Sequence, residues 1–362
     1  MKLTIERSAL LSAMDKAAAI ADGRSTIPIL QHVALTAADG VLTIRASNMD
    51  IEIVCKAKAI VHEDGETTVQ GSRLYDIVRA SAEGSEISMT LGETRLAVKS
   101  GRSVYQLATL PIDAFPTFAV VEPTAQFEIQ SRVLRVMILR TGAVANADKA
   151  RPMLCSVYMF NQSNRFGTVA TDGKRLVLTE RDMEGTAFGA IVPMPAVTQI
   201  ARICDMDGTA TVSVSDSRVM VESGETVLTA KLMGGDYVDF RRVIPKPGPR
   251  MVKVGREALA ASVRRTLLAA DDQARSVRLK LAPGSLTLEA RGQDAEGSDE
   301  VSCSYDGEEF VSGFSGVFLA EAVGSFADDV INWAHGEKND YPTIMTAEDE
   351  PGVTYVLMGH KA

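Results

Sequence analysis

The sequence predicts an α+β fold in which one domain-sized unit occurs three times. The first observation is that an alternating strand runs directly into an amphipathic helix at 3–10, at 127–134 and at 252–259, where Leu10, Leu134 and Leu259 take equivalent positions. Solenoid repeats recur every ~20–50 residues, so this much longer period indicates whole domains. The second observation is that 362 residues exceed what one hydrophobic core usually serves.

Each third divides again into two halves, and each half contains one helix and several short strands. The apolar spacing of Leu10, Leu11, Met14 and Ala18 predicts the first helix, and similar spacing predicts the others. The six predicted helices cover 6–20, 72–82, 130–145, 194–204, 255–270 and 316–326. Two strand reversals look alike, because Ser100-Gly101 and Ser223-Gly224 each place glycine where a tight hairpin needs a positive φ.

Proline-rich segments mark the joints between the thirds. Pro111, Pro116 and Pro123 punctuate the first joint, and Pro245, Pro247 and Pro249 punctuate the second. Such segments are semi-rigid and would hold neighbouring domains at a defined angle. We therefore predict three domains, over 1–122, 123–246 and 247–362.

Composition excludes several classes of function. No apolar run approaches the ~18 residues that span a membrane, and the N-terminus enters the first strand without a leader, so we expect a cytoplasmic protein. The four cysteines (Cys55, Cys155, Cys204, Cys303) and four histidines are scattered, which fits neither disulfide nor metal spacing. Buried free thiols, no cofactor and no metal are therefore expected.

Charge is distributed unevenly between the helices and the rest of the chain. The chain carries −9, whereas the six predicted helices sum to +6 and leave −15 elsewhere. Arginine is a good helix former, so a charged helix surface is one explanation. If the repeat places all six helices on one side of their sheets, however, they form a positive face suited to a phosphate backbone. No recognition-helix motif or aromatic stacking series is present, so we expect no reading of bases.

The chain resembles the bacterial DNA polymerase III beta subunits, the sliding clamps, over essentially its full length. The resemblance rests on motifs in all three thirds: Arg24-x-x-Ile27-Pro28-Ile29-Leu30, Leu107-Ala108-Thr109-Leu110-Pro111, Ala170-Thr171-Asp172-Gly173-Lys174-Arg175-Leu176, Phe240-Arg241-Arg242-Val243-Ile244-Pro245-Lys246, Val277-Arg278-Leu279 and Tyr355-Val356-Leu357-Met358.

This resemblance implies both fold and function. It implies three tandem DNA-clamp domains, each a pseudo-two-fold pair of helix-plus-antiparallel-sheet units, and a head-to-tail homodimer that forms a closed ring with its helices inside. Twelve helices at ~9 Å spacing would leave a bore of about 25 Å, which is wide enough for duplex DNA. The implied function is processivity without an active site: the ring encircles DNA regardless of sequence. It would tether the polymerase III alpha subunit, the clamp loader, other polymerases and repair proteins through short peptides.

The resemblance also places three sets of residues. At the DNA-facing surface it places Arg24, Arg73 and Arg151, to which the helix charge adds Arg132 and Arg135. In a partner-peptide pocket it places Leu154, Thr171, Gly173, Lys174, Arg175, Leu176, Val238, Arg242, Val243, Pro342, Val356 and Met358. At the dimer interface we expect the strand edge near Ser103–Leu107, with Tyr105 and Leu107, to meet 267–277 of the other chain, with Leu267 and Leu268.

Two departures from the family pattern keep alternatives open. A basic pair that many members carry at the start of the fourth helix is Met194-Pro195 here, and the tail reads Gly359-His360-Lys361-Ala362. A scaffold that keeps the fold without loading on DNA, and a second clamp beside a main replicative one, therefore stay open. A hydrolase is the enzyme alternative, although no Ser/His/Asp set, carboxylate pair or phosphate loop presents itself.

Overall fold

The structure is a computed structural model and describes residues 1–21, 23–119, 122–145, 150–204, 207–271 and 275–361. The chain forms two compact units: residues 1–136 with 195–234, and residues 137–194 with 235–362. Each unit contains one large antiparallel sheet. Each unit thus combines one terminal third of the chain with about half of the central third.

The elements up to residue 142 are β1 Lys2–Glu6, α1 Arg7–Ala18, β2 His32–Ala38, β3 Val41–Ser47, β4 Ile51–Lys58, β5 Ile60–Glu63, β6 Gly65–Gln70, α2 Gly71–Ala80, β7 Glu86–Leu91, β8 Arg95–Ser100, β9 Ser103–Leu110, β10 Ala125–Gln130 and α3 Ser131–Gly142. Those up to residue 243 are β11 Ser156–Gln162, β12 Arg165–Thr171, β13 Arg175–Asp182, β14 Phe188–Pro193, α4 Met194–Ile203, β15 Thr209–Val214, β16 Arg218–Ser223, β17 Thr226–Lys231 and α5 Phe240–Val243.

The remaining elements are β18 Arg250–Gly255, α6 Arg256–Thr266, β19 Ser276–Ala282, β20 Ser285–Arg291, β21 Glu296–Ser304, β22 Phe310–Ser315, α7 Gly316–Gly324, β23 Val330–His335, β24 Thr343–Thr346 and β25 Val353–Leu357. Short 3₁₀ turns occur at Pro28–Gln31, Ile112–Ala114, Pro152–Cys155 and Leu267–Ala269. Within the described residues, none of the helices is both long and apolar enough to cross a membrane.

The six predicted helices all occur, each shorter than expected by one to several residues. In α1 the buried residues Leu10, Ala13, Met14 and Ala17 follow the helical period that predicted it. The helix predicted over 255–270 ends at Thr266 and continues as the 3₁₀ turn Leu267–Ala269. Strand β5 was not predicted, because Ile60–Glu63 follows β4 after a single residue.

The two predicted hairpins are confirmed in detail. Ser100 pairs with Ser103, and Ser223 pairs with Thr226, so that each loop has two residues. Gly101 and Gly224 have φ of 58° and 57°. This left-handed conformation costs a residue with a side chain more than it costs glycine, which explains why the same Ser-Gly pair recurs.

One strand pairing is repeated at two places and builds both sheets across the boundaries of the predicted domains. β4 pairs with β17 in the first unit, and β13 pairs with β25 in the second. Each pair joins a strand from the first half of one third to the last strand of the next third. These joints explain why the compact units cut through the predicted central domain.

The four cysteines are free thiols, as expected. Cys55 and Cys204 are buried, and burial raises their pKa values to about 11 and about 12. Cys155 and Cys303 are only half-buried, so the prediction of burial holds for two of the four.

The core of the second unit contains an imidazole surrounded by aromatic rings. His335 is fully buried, with its ring centroid 4.5 Å from that of Trp333, 5.9 Å from Phe310 and 6.1 Å from Phe314. Among the described residues neither of its ring nitrogens has a hydrogen-bond partner. Burial, with a smaller contribution from the charge of Arg250, lowers the pKa of His335 to about 3, so the ring is neutral in the folded protein.

We predict that His335 makes the second unit sensitive to acid. The unfolded chain protonates this histidine near pH 6.5, whereas the folded chain does so only near the lowered pKa. The contribution of His335 to the free energy of unfolding is therefore fully present above about pH 6.5. It is lost progressively as the pH falls from there towards the lowered pKa of the folded state. Between about pH 7.5 and pH 5 the loss should be about 2 kcal/mol. Urea unfolding followed by fluorescence of Trp333, the single tryptophan, measures it.

His335→Phe should remove this part of the pH dependence, because an apolar ring of similar size has no proton to gain. The matched control is His62→Phe, since His62 is exposed. An unchanged pH dependence in His335→Phe would show that the acid sensitivity comes from other groups.

Candidate functional site

An apolar floor lies across the joint between β13 and β25. Leu176 and Leu178 of β13 pack with Val356 of β25, and Leu176 stands directly opposite Val356 in the strand pairing. Phe160, Val169 and Phe240 complete this buried cluster. The cluster lies on the face of the sheet opposite α3. Thr179, the residue after Leu178 in β13, points to the other face, where its hydroxyl is hydrogen-bonded to that of Thr168. The Thr168 hydroxyl in turn accepts a hydrogen bond from Thr141 of α3.

Aromatic rings form one side of this floor. Tyr158 stacks on Tyr237 with centroids 5.0 Å apart and planes at 4°, and Phe160 lies 5.2 Å from Phe240. Burial raises the pKa of Tyr158 and of Tyr237, so both hydroxyls stay neutral. The segment that carries Tyr237 and Phe240 ends in the short helix α5, which fixes its course over the sheet.

Exposed apolar residues form the rim. Val238, Val243 and Met358 are 40%, 50% and 41% exposed, whereas Leu176 and Val356 of the floor are 1% and 2% exposed. Solvent-facing apolar side chains beside a buried apolar floor are typical of a groove that takes the side chains of a peptide. The floor, the α5 segment and Met358 together are here called the partner groove.

A tight turn between β12 and β13 supports the rim. The Asp172 carboxylate accepts hydrogen bonds from the amides of Lys174 (2.8 Å) and Arg175 (3.0 Å), and Thr171 accepts one from Gly173 (3.0 Å). Gly173 has φ 87°. The Met358 amide donates to the Lys174 carbonyl (3.0 Å), which ties the chain's last strand to this turn.

Arg175 was predicted to line the pocket, but its side chain is 9% exposed and already engaged. Its guanidinium bonds the carboxylates of Asp172 and Glu321, and lies 4.2 Å from the centre of the Phe318 ring. Arg175 therefore connects β13 to α7 and positions the groove; it does not offer its charge to a ligand.

The other predicted pocket residues lie around the same joint. Lys174 and Arg242 are exposed, and Arg242 pairs with Asp239 at 2.9 Å. Leu154 is half-buried in the 3₁₀ turn Pro152–Cys155. The side chain of Met153, in the same turn, lies against Gly235, which is two residues before Tyr237. Pro342 is half-buried beside Tyr341, whose carbonyl lies against Gly359.

Sequence reasoning missed the aromatic part of the groove. Tyr158, Phe160 and Tyr237 were not named, and Phe240 was noted only as part of a motif. The available signal was the alternation of Tyr158 and Phe160 on one predicted strand, which places both rings on one face of the sheet.

The predicted DNA-facing arginines differ in availability. Arg24, Arg73 and Arg151 are exposed, and Arg132 is 82% exposed with Asp207 4.0 Å away. Arg135 is half-buried and its guanidinium donates to the Ala201 carbonyl at 3.0 Å, so it is the least available of the five.

Several other helix arginines are held in ion pairs, which the sequence count could not show. Arg140 pairs with Glu350 at 2.5 Å, Arg202 with Asp15 at 2.7 Å, and Arg265 with Asp299 at 2.5 Å. Arg264 of α6, which was not named from the sequence, is exposed without an ion pair among the described residues. The cations available to an anionic partner are therefore fewer than the helix charge suggested.

Within the described residues, β9 and β21 are each paired on only one side over part of their length. β9 is exposed over Ser103–Gln106, and Tyr105 is 39% exposed, although Leu228, at the equivalent position of the similar hairpin that contains β17, is buried. β21 pairs along its length only with β20 and meets β18 only at Cys303 and Ser304. Leu268, beyond α6, is 85% exposed, and Leu267 is half-buried. Residues 272–274 of the expected interface segment lie outside the described residues.

Comparison with known proteins accounts for this arrangement. Models of the DNA polymerase III beta subunit match three consecutive parts of the chain: the N-terminal domain matches residues 1–119, the central domain 128–239 and the C-terminal domain 241–361. The chain belongs to the DNA polymerase III beta subunit family. The three tandem domains predicted from the repeat, and the clamp-domain fold implied by the family resemblance, are thereby confirmed.

Individual relatives resemble the whole chain. The beta sliding clamp of Caulobacter vibrioides is 31% identical over 369 residues, which cover 99% of both chains, and that of Escherichia coli is 29% identical over 328 residues, which cover 89% of this chain and 90% of the relative. Crystal structures of the Pseudomonas aeruginosa DNA polymerase III subunit beta, and of that clamp bound to griselimycin, superpose with TM-scores of 0.95 and 0.96 at 27% identity over the full length of both chains. Membership of this family gives the chain the function of a sliding clamp of DNA polymerase III.

Proposed function

We propose that two copies of this chain close into a ring around duplex DNA and tether the polymerase III alpha subunit, the clamp loader and other polymerases and repair proteins through the partner groove. The observation that carries the ring is the repeated joint. β4–β17 and β13–β25 are already paired within the chain, whereas in its described part β9 pairs only with β8 over Ser103–Leu107 and β21 pairs only with β20 over 296–302. A second copy supplies the missing neighbour for each, and the assembly acts in the cytoplasm where the DNA is.

The two joints within the chain give the register of the joint between copies. β20 repeats β3, since Gly40 and Gly284 precede them with φ of 74° and 77° and the buried positions coincide. β9 repeats β17 through the shared hairpin. Within the chain, Val54 of β4 faces Val227 of β17. By these two repeats, Ser298 takes the position of Val54 and Val104 takes the position of Val227. We therefore expect Ser298 of one protomer to face Val104 of its partner, and Gly297 to face Tyr105.

This register fits the local shapes. Gly297 has no side chain, and a Cβ at this position would lie only 2.9 Å from the Cβ of Ala269. The absence of a side chain therefore leaves a shallow recess in the surface beside Leu268. Tyr105 of the other protomer would lie over this recess and cover Leu268. Such edge-to-edge pairing satisfies exposed backbone groups and buries apolar surface at both ends of the chain.

We predict that Val104→Cys with Ser298→Cys forms a disulfide between protomers on mild oxidation, visible as a covalent dimer on non-reducing gels. Val104→Cys with Glu300→Cys is the control, because a diagonal pair lies ~7–8 Å apart and is too distant for a disulfide. Equal cross-linking of both pairs, or none with the first, would contradict the register. The oxidised parent chain reports any contribution from Cys155 and Cys303.

The ring holds DNA through phosphate charge. Arg24, Arg73, Arg132 and Arg151 are exposed cations on an otherwise acidic chain, and the sequence contains no recognition-helix motif that would read bases. Weak contacts of this kind allow the ring to slide, while encirclement prevents escape.

We predict that Arg73→Ala with Arg132→Ala weakens DNA binding equally for all sequences and lowers the salt slope by ~0.9 for each lost contact. Binding is measured by fluorescence anisotropy over a series of salt concentrations. Arg202→Ala is the matched control, because that arginine is already paired with Asp15 and should change the slope little. A slope that fell as much in the control would argue against the assignment of these arginines.

The partner groove acts through its apolar rim. Truncating or charging an anchor contact typically costs ~1–3 kcal/mol, or about 5- to 150-fold in affinity. Val243 and Met358 suit a test because both are exposed, whereas Leu176→Ala would also cost ~2–5 kcal/mol of stability by opening a cavity in the floor.

We predict that Val243→Asp with Met358→Asp shortens the products of the replicative polymerase on a long primed template to the length made without a clamp. The ring should still form and should stay on nicked circular DNA until the circle is cut. Val330→Asp with Met251→Asp, the same changes at exposed positions of β23 and β18 outside the groove, is the control. Parental product lengths would show that partners dock elsewhere, and failure of the parent chain to load would favour a scaffold that keeps only the fold.

A further inference from the structure

The joint between β4 and β17 repeats the partner groove's joint in atomic detail. The side-chain Oδ1 of Asn48 accepts hydrogen bonds from the amides of Asp50 (3.1 Å) and Ile51 (2.8 Å), as the Asp172 carboxylate does in the other turn. The Lys231 amide donates to the Asp50 carbonyl at 2.9 Å, as Met358 does to Lys174. Glu52 therefore occupies the place of Leu176.

A cavity lies over this first joint. Its volume is about 350 Å³, which is within the range of small-ligand and peptide-anchor sites. Val54, Val227 and Met220 line its floor, and Phe118 lies beside them. The Phe118 amide donates to the Glu52 carboxylate at 3.1 Å, which holds this linker over the sheet as the α5 segment is held over the partner groove. We call this cavity the first-joint groove.

The charges of the first-joint groove differ from those of the partner groove. Two carboxylates, Glu52 and Glu122, line it with one guanidinium, that of Arg218. The Arg218 guanidinium already donates to the Ala119 carbonyl and lies 4.7 Å from the centre of the Phe118 ring.

Glu52 itself is half-buried. Desolvation raises its pKa more than the Phe118 amide and the charges of Arg45 and Arg218 lower it, so its charge is incompletely compensated. The groove therefore complements a cation beside an apolar group.

We propose that the first-joint groove binds a short extended peptide of a partner protein that presents one lysine or arginine and, two residues away, one aliphatic side chain. The aliphatic side chain packs on Val54 and Val227, and the cation meets Glu52, which lies two residues from Val54 on the same face of β4. Met220 is 37% exposed and can adapt to the bound side chain.

The inference rests on the proposed role of the partner groove as a peptide site, since the first-joint groove is its structural repeat. It adds a second class of peptide, chosen by charge. One ring would then hold partners with acidic or neutral apolar peptides at one joint and partners with basic peptides at the other.

Methionine-methyl NMR of the full dimeric protein tests this, because Met220 reports on the first-joint groove and Met358 on the partner groove. The probes are acetyl-Ala-Leu-Ala-Lys-Ala-amide, the same peptide with leucine and lysine exchanged, and the analogue of each with glutamate for lysine. Titration of the Met220 signal should give a dissociation constant about tenfold lower for a lysine peptide than for its glutamate analogue.

Substitution of Glu52 supplies the matched controls. Glu52→Gln keeps an acceptor for the Phe118 amide and should abolish the preference for lysine, whereas Glu52→Lys should invert it. No shift of Met220 with any peptide, or a preference that ignores these substitutions, would overturn the proposal. A Met220 signal that changes with protein concentration alone would overturn it in favour of a second copy as the occupant.

An apolar peptide, acetyl-Ala-Leu-Ala-Phe-Ala-amide, separates this outcome from failure of the proposed function. If it shifts Met358 while the lysine peptides leave Met220 unmoved, the partner groove stands and only the first-joint groove fails. If Met358 also stays unmoved by partners of the clamp, the peptide-docking function itself is wrong.

Discussion

The pairing of a strand from one third with the last strand of the next is the interaction on which the rest of the structure depends. It converts three domains into two continuous sheets, and it determines which residues stand opposite one another at each joint. Because backbone hydrogen bonds set the register, equivalent positions at different joints can be compared directly. The same strand pairing underlies three features of the chain. They are the floor of the partner groove, the first-joint groove and the strands β9 and β21, which are partly paired on one side only.

The identity of the residue at each equivalent position then decides what a joint does. Where Leu176 faces Val356, the joint has an apolar floor; where Glu52 faces Thr229, the same place carries charge. In β9, Tyr105 takes the hairpin position that Leu228 takes in β17, and it stays exposed because at this residue β9 pairs only with β8 within the chain. The same backbone arrangement therefore has different surface properties at each joint, because the side chains at equivalent positions differ.

The sequence was sufficient for features whose causes are local. The hairpins at Gly101 and Gly224 followed from the positive φ of glycine, and the helices followed from apolar spacing. It was insufficient where the cause lies far along the chain. Arg175 was placed at the mouth of the pocket, but Glu321 draws it inward, and Glu350 likewise removes Arg140 from the cations available to DNA. The family resemblance predicted a partner pocket around this joint, yet it could not separate buried Leu176 from exposed Met358.

The hydrogen bond from the Met358 amide to the Lys174 carbonyl has a thermodynamic consequence. Met358 belongs to the rim of the partner groove and also to the segment that closes the joint, so the state of the joint and the state of the groove are not independent variables. A ligand that prefers the ordered rim stabilises the joint by the same free energy with which an ordered joint improves the ligand's affinity. Partner binding and pairing of the last strand are thus thermodynamically linked, so a bound partner that orders the rim also opposes local opening of the β13–β25 joint.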